Sequence, residues 1–158
     1  MKTLNVLALA FAGLIGLSFM TSCGGGASDQ KTDTTQVSQA APAGAVPAEQ
    51  MELGKGIYEA KCKVCHQPTG LGLKPAFPPL AGSDYLLADK KRAVAQALNG
   101  SNHEIVVNGE KYNAPMPQQV GTVDSAVAVI NYVLNSFGNN GGVITVDEVK
   151  DIVIDPRK

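Results

Sequence analysis

The sequence predicts an all-α domain with one small β-hairpin, and three observations carry that expectation. Apolar residues recur at helical spacing in several segments. Four of those segments open on a capping residue: Ser83, Asp89, Thr122 and Thr145. The β-type signal is confined to two short runs around Asn108-Gly109, and no parallel-sheet periodicity appears.

The elements follow in order. A first helix begins near Pro47, with Leu53, Ile57 and Ala60 recurring along it, and delivers Cys62 and Cys65. After His66, "QPTGLGLKPAFPPLAG" is punctuated by Pro and Gly and reads as an irregular loop. Ser83 caps a short turn of helix over Asp84 to Ala88. Asp89 opens a helix carrying Val94, Ala97 and Leu98, which Gly100 stops. "EIVVNGEKY" is the hairpin. "NAPMPQQ" is a second irregular loop and holds Met116 between two prolines. Thr122 caps a helix bearing Val127, Ile130, Val133 and Leu134, expected to end at Gly138. Thr145 and Glu148 form a capping box before a short helix around Val149 and Ile152.

The N-terminal third is not globular in pattern. Met1-Lys2 is a short positive region, and Leu4 to Met20 runs 17 residues without a charge. Small residues follow up to Cys23, which reads as an export signal over residues 1–22. The competing reading is an uncleaved membrane anchor, for which 17 residues is short. Met20-Thr21-Ser22-Cys23 resembles the lipobox of bacterial lipoproteins, although Met stands where Leu is usual. That resemblance implies lipidation of Cys23 and attachment to a membrane; the alternative is an incidental thiol. Residues 23–47 are Gly, Ala, Ser, Thr, Gln and Pro with almost no large apolar side chain, as in a flexible tether. Residues 48–158 form the folded domain. The chain is thus expected to be exported, with that domain in the periplasm or at the outer face of the cytoplasmic membrane.

Charge narrows the function. The chain carries 13 basic and 14 acidic side chains in 158 residues. No block of Lys or Arg occurs, so no nucleic-acid partner is expected. Loss of Lys2 with the leader leaves a net charge of −2, without a strong basic ring for an acidic partner.

"KCKVCHQPTG" raises the question of chemistry. Cys62-x-x-Cys65-His66 admits a zinc half-site, a redox dithiol or a covalent haem anchor. A structural zinc site needs four ligands, and His103 is the one other histidine. A thioredoxin-like dithiol needs a strand before the motif, where this chain has a helical pattern. For haem, two thiols three apart on a helical turn share a face and can meet one porphyrin edge. His66 follows as an iron ligand. Haem asks for a sixth ligand downstream, and Met116, clamped by Pro115 and Pro117, is the candidate. His103 is its rival; its competing reading is a surface histidine in a polar loop.

With these residues in view, the chain resembles a small class I c-type cytochrome over about residues 50–155. "GKGIY" places Gly54 and Tyr58 like the Gly and aromatic of that family's first helix. "CKVCH" resembles its haem anchor, "YNAPMP" its Met-bearing loop, and "VINY" places Val129 and Tyr132 like the pair on its last helix. Pro78 in "FPPL" matches the proline whose carbonyl accepts a hydrogen bond from the proximal His ring. The resemblance implies three to five helices around one covalent haem c, held by Cys62 and Cys65, its iron ligated by His66 and Met116. It implies a single-electron carrier and not an enzyme, passing electrons to a redox partner such as a membrane oxidase or denitrification reductase. The alternative is a five-coordinate haem sensor or peroxidase-like enzyme in which Met116 leaves the iron open.

Overall fold

The structure, a computed structural model, describes residues 44–155. The expected signal and Cys23 lie outside the described residues. Helix α1 (Ala48–Ile57) runs into a π-helical turn (Tyr58–Cys62) and then α2 (Lys63–His66). After the Pro- and Gly-rich loop come α3 (Asp84–Ala88) and α4 (Lys90–Asn99). Strands β1 (Ile105–Val107) and β2 (Glu110–Tyr112) pair antiparallel, with Val107 opposite Glu110. Helix α5 (Val123–Leu134) and the short α6 (Val146–Val149) complete the order.

Local chemistry sets the helix starts. The Ser83 hydroxyl accepts from the Leu86 N–H, Asp89 from Arg92 and Thr122 from Ser125. Thr145 and Glu148 close the reciprocal box. Each cap satisfies an N–H that the first turn leaves without a helical partner. Asn108 and Gly109 take positive φ (51° and 81°), as a two-residue hairpin turn requires.

The core lies between α1, α4 and α5. Val94, Leu98, Ala126, Val127 and Leu134 are fully buried in it. Where α1 crosses α5, Gly54 has room for no side chain: a Cβ would fall on the Ala128 carbonyl and 2.7 Å from Tyr132 Cβ. The crossing uses Ala128 and Tyr132, and Val129 turns toward the interior cavity. Beside the crossing, Tyr58, Tyr132 and Phe137 form a cluster of rings 5.1–5.9 Å apart. Such ring pairs add to their burial when tilted or edge-on.

The sequence pattern misjudged the buried line of the first helix and the ends of two others. Leu53 is 53% exposed and Ala60 is exposed; the buried line of the first helix is Gly54 and Tyr58. Leu53 faces outward because the face that meets α5 is set by Gly54 and Tyr58, and the π turn shifts the phase only beyond them: the Lys63 N–H reaches back five residues to the Tyr58 carbonyl. Helix α5 stops at Leu134, four residues before Gly138, because Asn135 leaves the helical region and donates its side chain to the carbonyls of Asn131 and Gly142. α6 ends at Val149, so Ile152 packs from beyond it.

The C-terminal segment is tied down by asparagines. Asn131, on α5 and fully buried, donates to Ile144 O (2.9 Å) and Gln50 Oε1 (2.8 Å) and accepts from Ile144 N (2.9 Å). Asn139 bridges to the loop after α2 through Leu80 O and Gly82 N.

Candidate functional site

The π turn and α2 present Cys62 and Cys65, both half-buried free thiols, on one helical turn. Burial, and secondarily the neighbouring Cys65, pushes the Cys62 thiol up to about 11. His66 closes the helix and is buried. Its Nδ1 donates to the Pro78 carbonyl at 3.0 Å. A carbonyl only accepts, so the proton sits on Nδ1 and the Nε2 lone pair is free to ligate. Burial lowers the His66 pKa; the Pro78 bond works in the opposite direction and is the smaller effect.

The chain must reverse sharply after His66. Gln67 adopts φ 65°, ψ 159°, a region nearly reserved for glycine. The Tyr58 hydroxyl donates to its carbonyl at 2.7 Å and holds the reversal in place. Gly70 and Gly72 then bring the loop back: Gly72 N–H donates to His66 O, and Leu80 N–H to Gly70 O. Gly72 (φ 65°) lies against the Phe77 and Pro78 carbonyls so closely that a Cβ would displace them. The acceptor for His66 is thus backed by a residue that must lack a side chain.

Met116 is half-buried on the second loop. Its backbone exchanges two hydrogen bonds of 2.8 Å with Ser101. Gln119 N–H donates to Ala97 O at 3.0 Å, strapping the same loop to the end of α4. Gly100 caps α4 with φ 71°, ψ −173°, and a Cβ there would strike the Met116 carbonyl.

Cys62, Cys65, His66, Pro78 and Met116 all line one cavity of about 280 Å³. Val129, Ile130 and Val133 of α5, Ala93 and Ala97 of α4, and Leu86 supply apolar wall. His103 also lines it but is exposed, with Nδ1 3.4 Å from Ser101 Oγ. Among the described residues no three His, Cys, Asp or Glu side chains converge as a group that could hold a metal ion. Two thiols on one rim, an imidazole and a thioether in the lining, and apolar walls between them fit a flat apolar macrocycle carrying a metal.

The sequence reading passed over Tyr85, Arg92, Gln96 and Tyr112, which also line the cavity. Arg92 and Gln96 stand four apart on α4 beside its buried residues, and that spacing was the available signal.

A family model for cytochrome c matches residues 51–137. Cytochrome c-552 of Thermus thermophilus is 35% identical over 109 residues, covering 63% of this chain and 82% of that protein. The fructose dehydrogenase cytochrome subunit of Gluconobacter japonicus is 30% identical over 106 residues, but only 21% of its length is covered. The cytochrome c subunit of the quinone alcohol dehydrogenase of Gluconobacter oxydans is 26% identical, with the same 21% coverage.

Proposed function

Since this chain belongs to the cytochrome c family, as a class I c-type cytochrome with covalent haem c and its iron, we propose that Cys62 and Cys65 form the thioethers and that His66 and Met116 are the axial ligands. The observation that carries this reading is the gathering of all four side chains on one apolar cavity, with the Nδ1 proton of His66 committed to Pro78. Held there, haem iron would supply one-electron chemistry. The chain's own residues do the rest. Pro78 fixes the tautomer and direction of His66. Gly100 and Ser101 set the backbone of Met116. The walls from α4 and α5 exclude water and disfavour added charge, and a Met ligand acts in the same direction by raising the potential.

The protein is an electron carrier, and its finer role here is a shuttle between redox proteins with no substrate of its own. The two Gluconobacter relatives are named as cytochrome subunits of dehydrogenases, which supports a redox protein as partner. We assign the acceptor as a membrane oxidase or reductase complex. Val64, between the two cysteines, is 76% exposed, and Leu71 and Leu73 in the next loop are also exposed. They suit a weak, mainly apolar docking of small area. Export is carried by residues 1–22, and Cys23 bears the lipid that keeps the domain, on its 23–47 tether, at a membrane. Among the described residues no helix is long and apolar enough to cross one.

The ligand assignment is tested on the oxidised protein. A weak near-infrared sulfur-to-iron band is expected, and Met116→Ala removes it; a wild-type protein lacking that band refutes Met116 as ligand. For the anchor, mass spectrometry of the mature N-terminus should find diacylated Cys23. Cys23→Ser should move the cytochrome to the soluble fraction with an unchanged visible spectrum. An unmodified Cys23 thiol refutes the anchor.

A further inference from the structure

The cytochrome c family model ends at residue 137, and the described fold continues to residue 155. None of the described residues beyond Val133 lines the cavity, so this last segment holds nothing of the site directly. It is fastened to both ends of α4. Lys90, the first residue of that helix, donates its Nζ to the Val143 carbonyl at 3.0 Å. Asn99, the last, donates Nδ2 to the Val153 carbonyl at 2.9 Å and accepts from the Asp155 N–H at 2.7 Å. Between these points Ile144 and Val149 are buried in the core, and Ile152 and Ile154 pack against it. The Thr145–Glu148 box fixes the turn in the middle.

The end of α4 that Asn99 occupies also carries the Met116 loop. Gly100 lies directly against the Met116 carbonyl. Ser101 exchanges two backbone hydrogen bonds of 2.8 Å with Met116. The Ala97 carbonyl accepts from the N–H groups of Gln119 and Val120 at 3.0 and 3.3 Å. Residues 97–101 therefore bind the ligand loop and the C-terminal segment together. A helix end frays unless its last groups find partners, and a loop fastened to a fraying end opens with it.

We propose that Asn99 is a positioning residue for Met116: it clamps segment 143–155 onto the end of α4, and through Gly100 and Ser101 that clamp keeps the Met116 loop closed. This rests on the reading of Met116 as an axial ligand. The segment beyond the family match then sets how often the thioether leaves its seat. Local opening costs less than global unfolding, and the clamp raises that cost where the loop is fastened. An added ligand that competes with the thioether binds only the open fraction, so its apparent affinity reads that fraction.

The test uses the ferric holoprotein with Asn99→Ala, Asp155→Pro and Asp155→Ala. Gly54→Val, at the α1–α5 crossing, controls for lost stability alone. The near-infrared sulfur-to-iron band is recorded first. A wild-type protein without it fails at Met116 as ligand and takes this inference with it. Imidazole is then titrated, and amide exchange is followed at Ser101 and Met116. Asn99→Ala deletes two hydrogen bonds to the tail, so imidazole should bind on the order of tenfold more tightly than to wild type. The Ser101 and Met116 amides should exchange faster by a similar factor. Asp155→Pro removes the N–H that Asn99 accepts and leaves Asn99 itself intact. Compared with Asp155→Ala, which keeps that N–H, it should reproduce part of the effect. If Asn99→Ala melts early, as Gly54→Val does, with imidazole affinity and both amides at wild type, Asn99 merely holds the tail and the proposal is overturned. If Asn99→Ala does not accumulate as holoprotein, the Asp155 pair decides: equal imidazole affinity in the two variants refutes the clamp.

Discussion

Replacing Gly100 by alanine should loosen Met116 while leaving the rest of the cavity in place. Two costs can be worked from the structure. Gly100 has φ 71° and ψ −173°, which costs a residue with a Cβ about 1–3 kcal/mol. The added Cβ would also strike the Met116 carbonyl and lie 3.0 Å from Pro117 C and Gln118 N. Those atoms are backbone, so relief requires moving the loop, at a further ~1–3 kcal/mol. The sum is at least about 2 kcal/mol, or roughly a 10 °C fall in the melting temperature of a domain this size. The loop can yield only by stretching the paired Ser101–Met116 hydrogen bonds, and that moves the thioether. The assay is thermal unfolding of the oxidised protein together with its near-infrared band. Both should fall. A variant that melts early with the band at wild-type strength would show that Gly100 merely terminates α4, and the argument that it seats Met116 would fail.

Other outcomes follow from the packing. Gly54→Val adds bulk where the Ala128 carbonyl and Tyr132 Cβ already touch the glycine, so it should cost on the order of 1–3 kcal/mol; a variant that melts like wild type would mean that the helices do not cross there. Asn131→Leu strips partners from both the N–H and C=O of buried Ile144, at ~1–3 kcal/mol for each group. Amide exchange at Ile144 should then accelerate and proteases should cut near residues 139–143; full protection at Ile144 would rule out Asn131 as the clasp.

What the sequence determined by itself is whatever acts over a few residues. Ser83, Asp89, Thr122 and Thr145 cap their helices because a cap bond spans three residues of chain. Asn108-Gly109 makes its turn for the same reason. The spacing of Cys62, Cys65 and His66 is likewise local. Tertiary structure decided what depends on a partner far along the chain. Leu53 is as apolar as any core residue, yet it faces outward because α5 must come close at Gly54, and closeness is bought by the smallest residue on the face. The π turn shifts the phase beyond the reach of a regular 3.6-residue pattern. Asn131 reads as a polar interruption of an apolar helix until Ile144 and Gln50 close around it. Arg92 and Tyr112 lie far apart along the chain; only folding carries them from α4 and β2 to the wall of the cavity that Cys62 and His66 open.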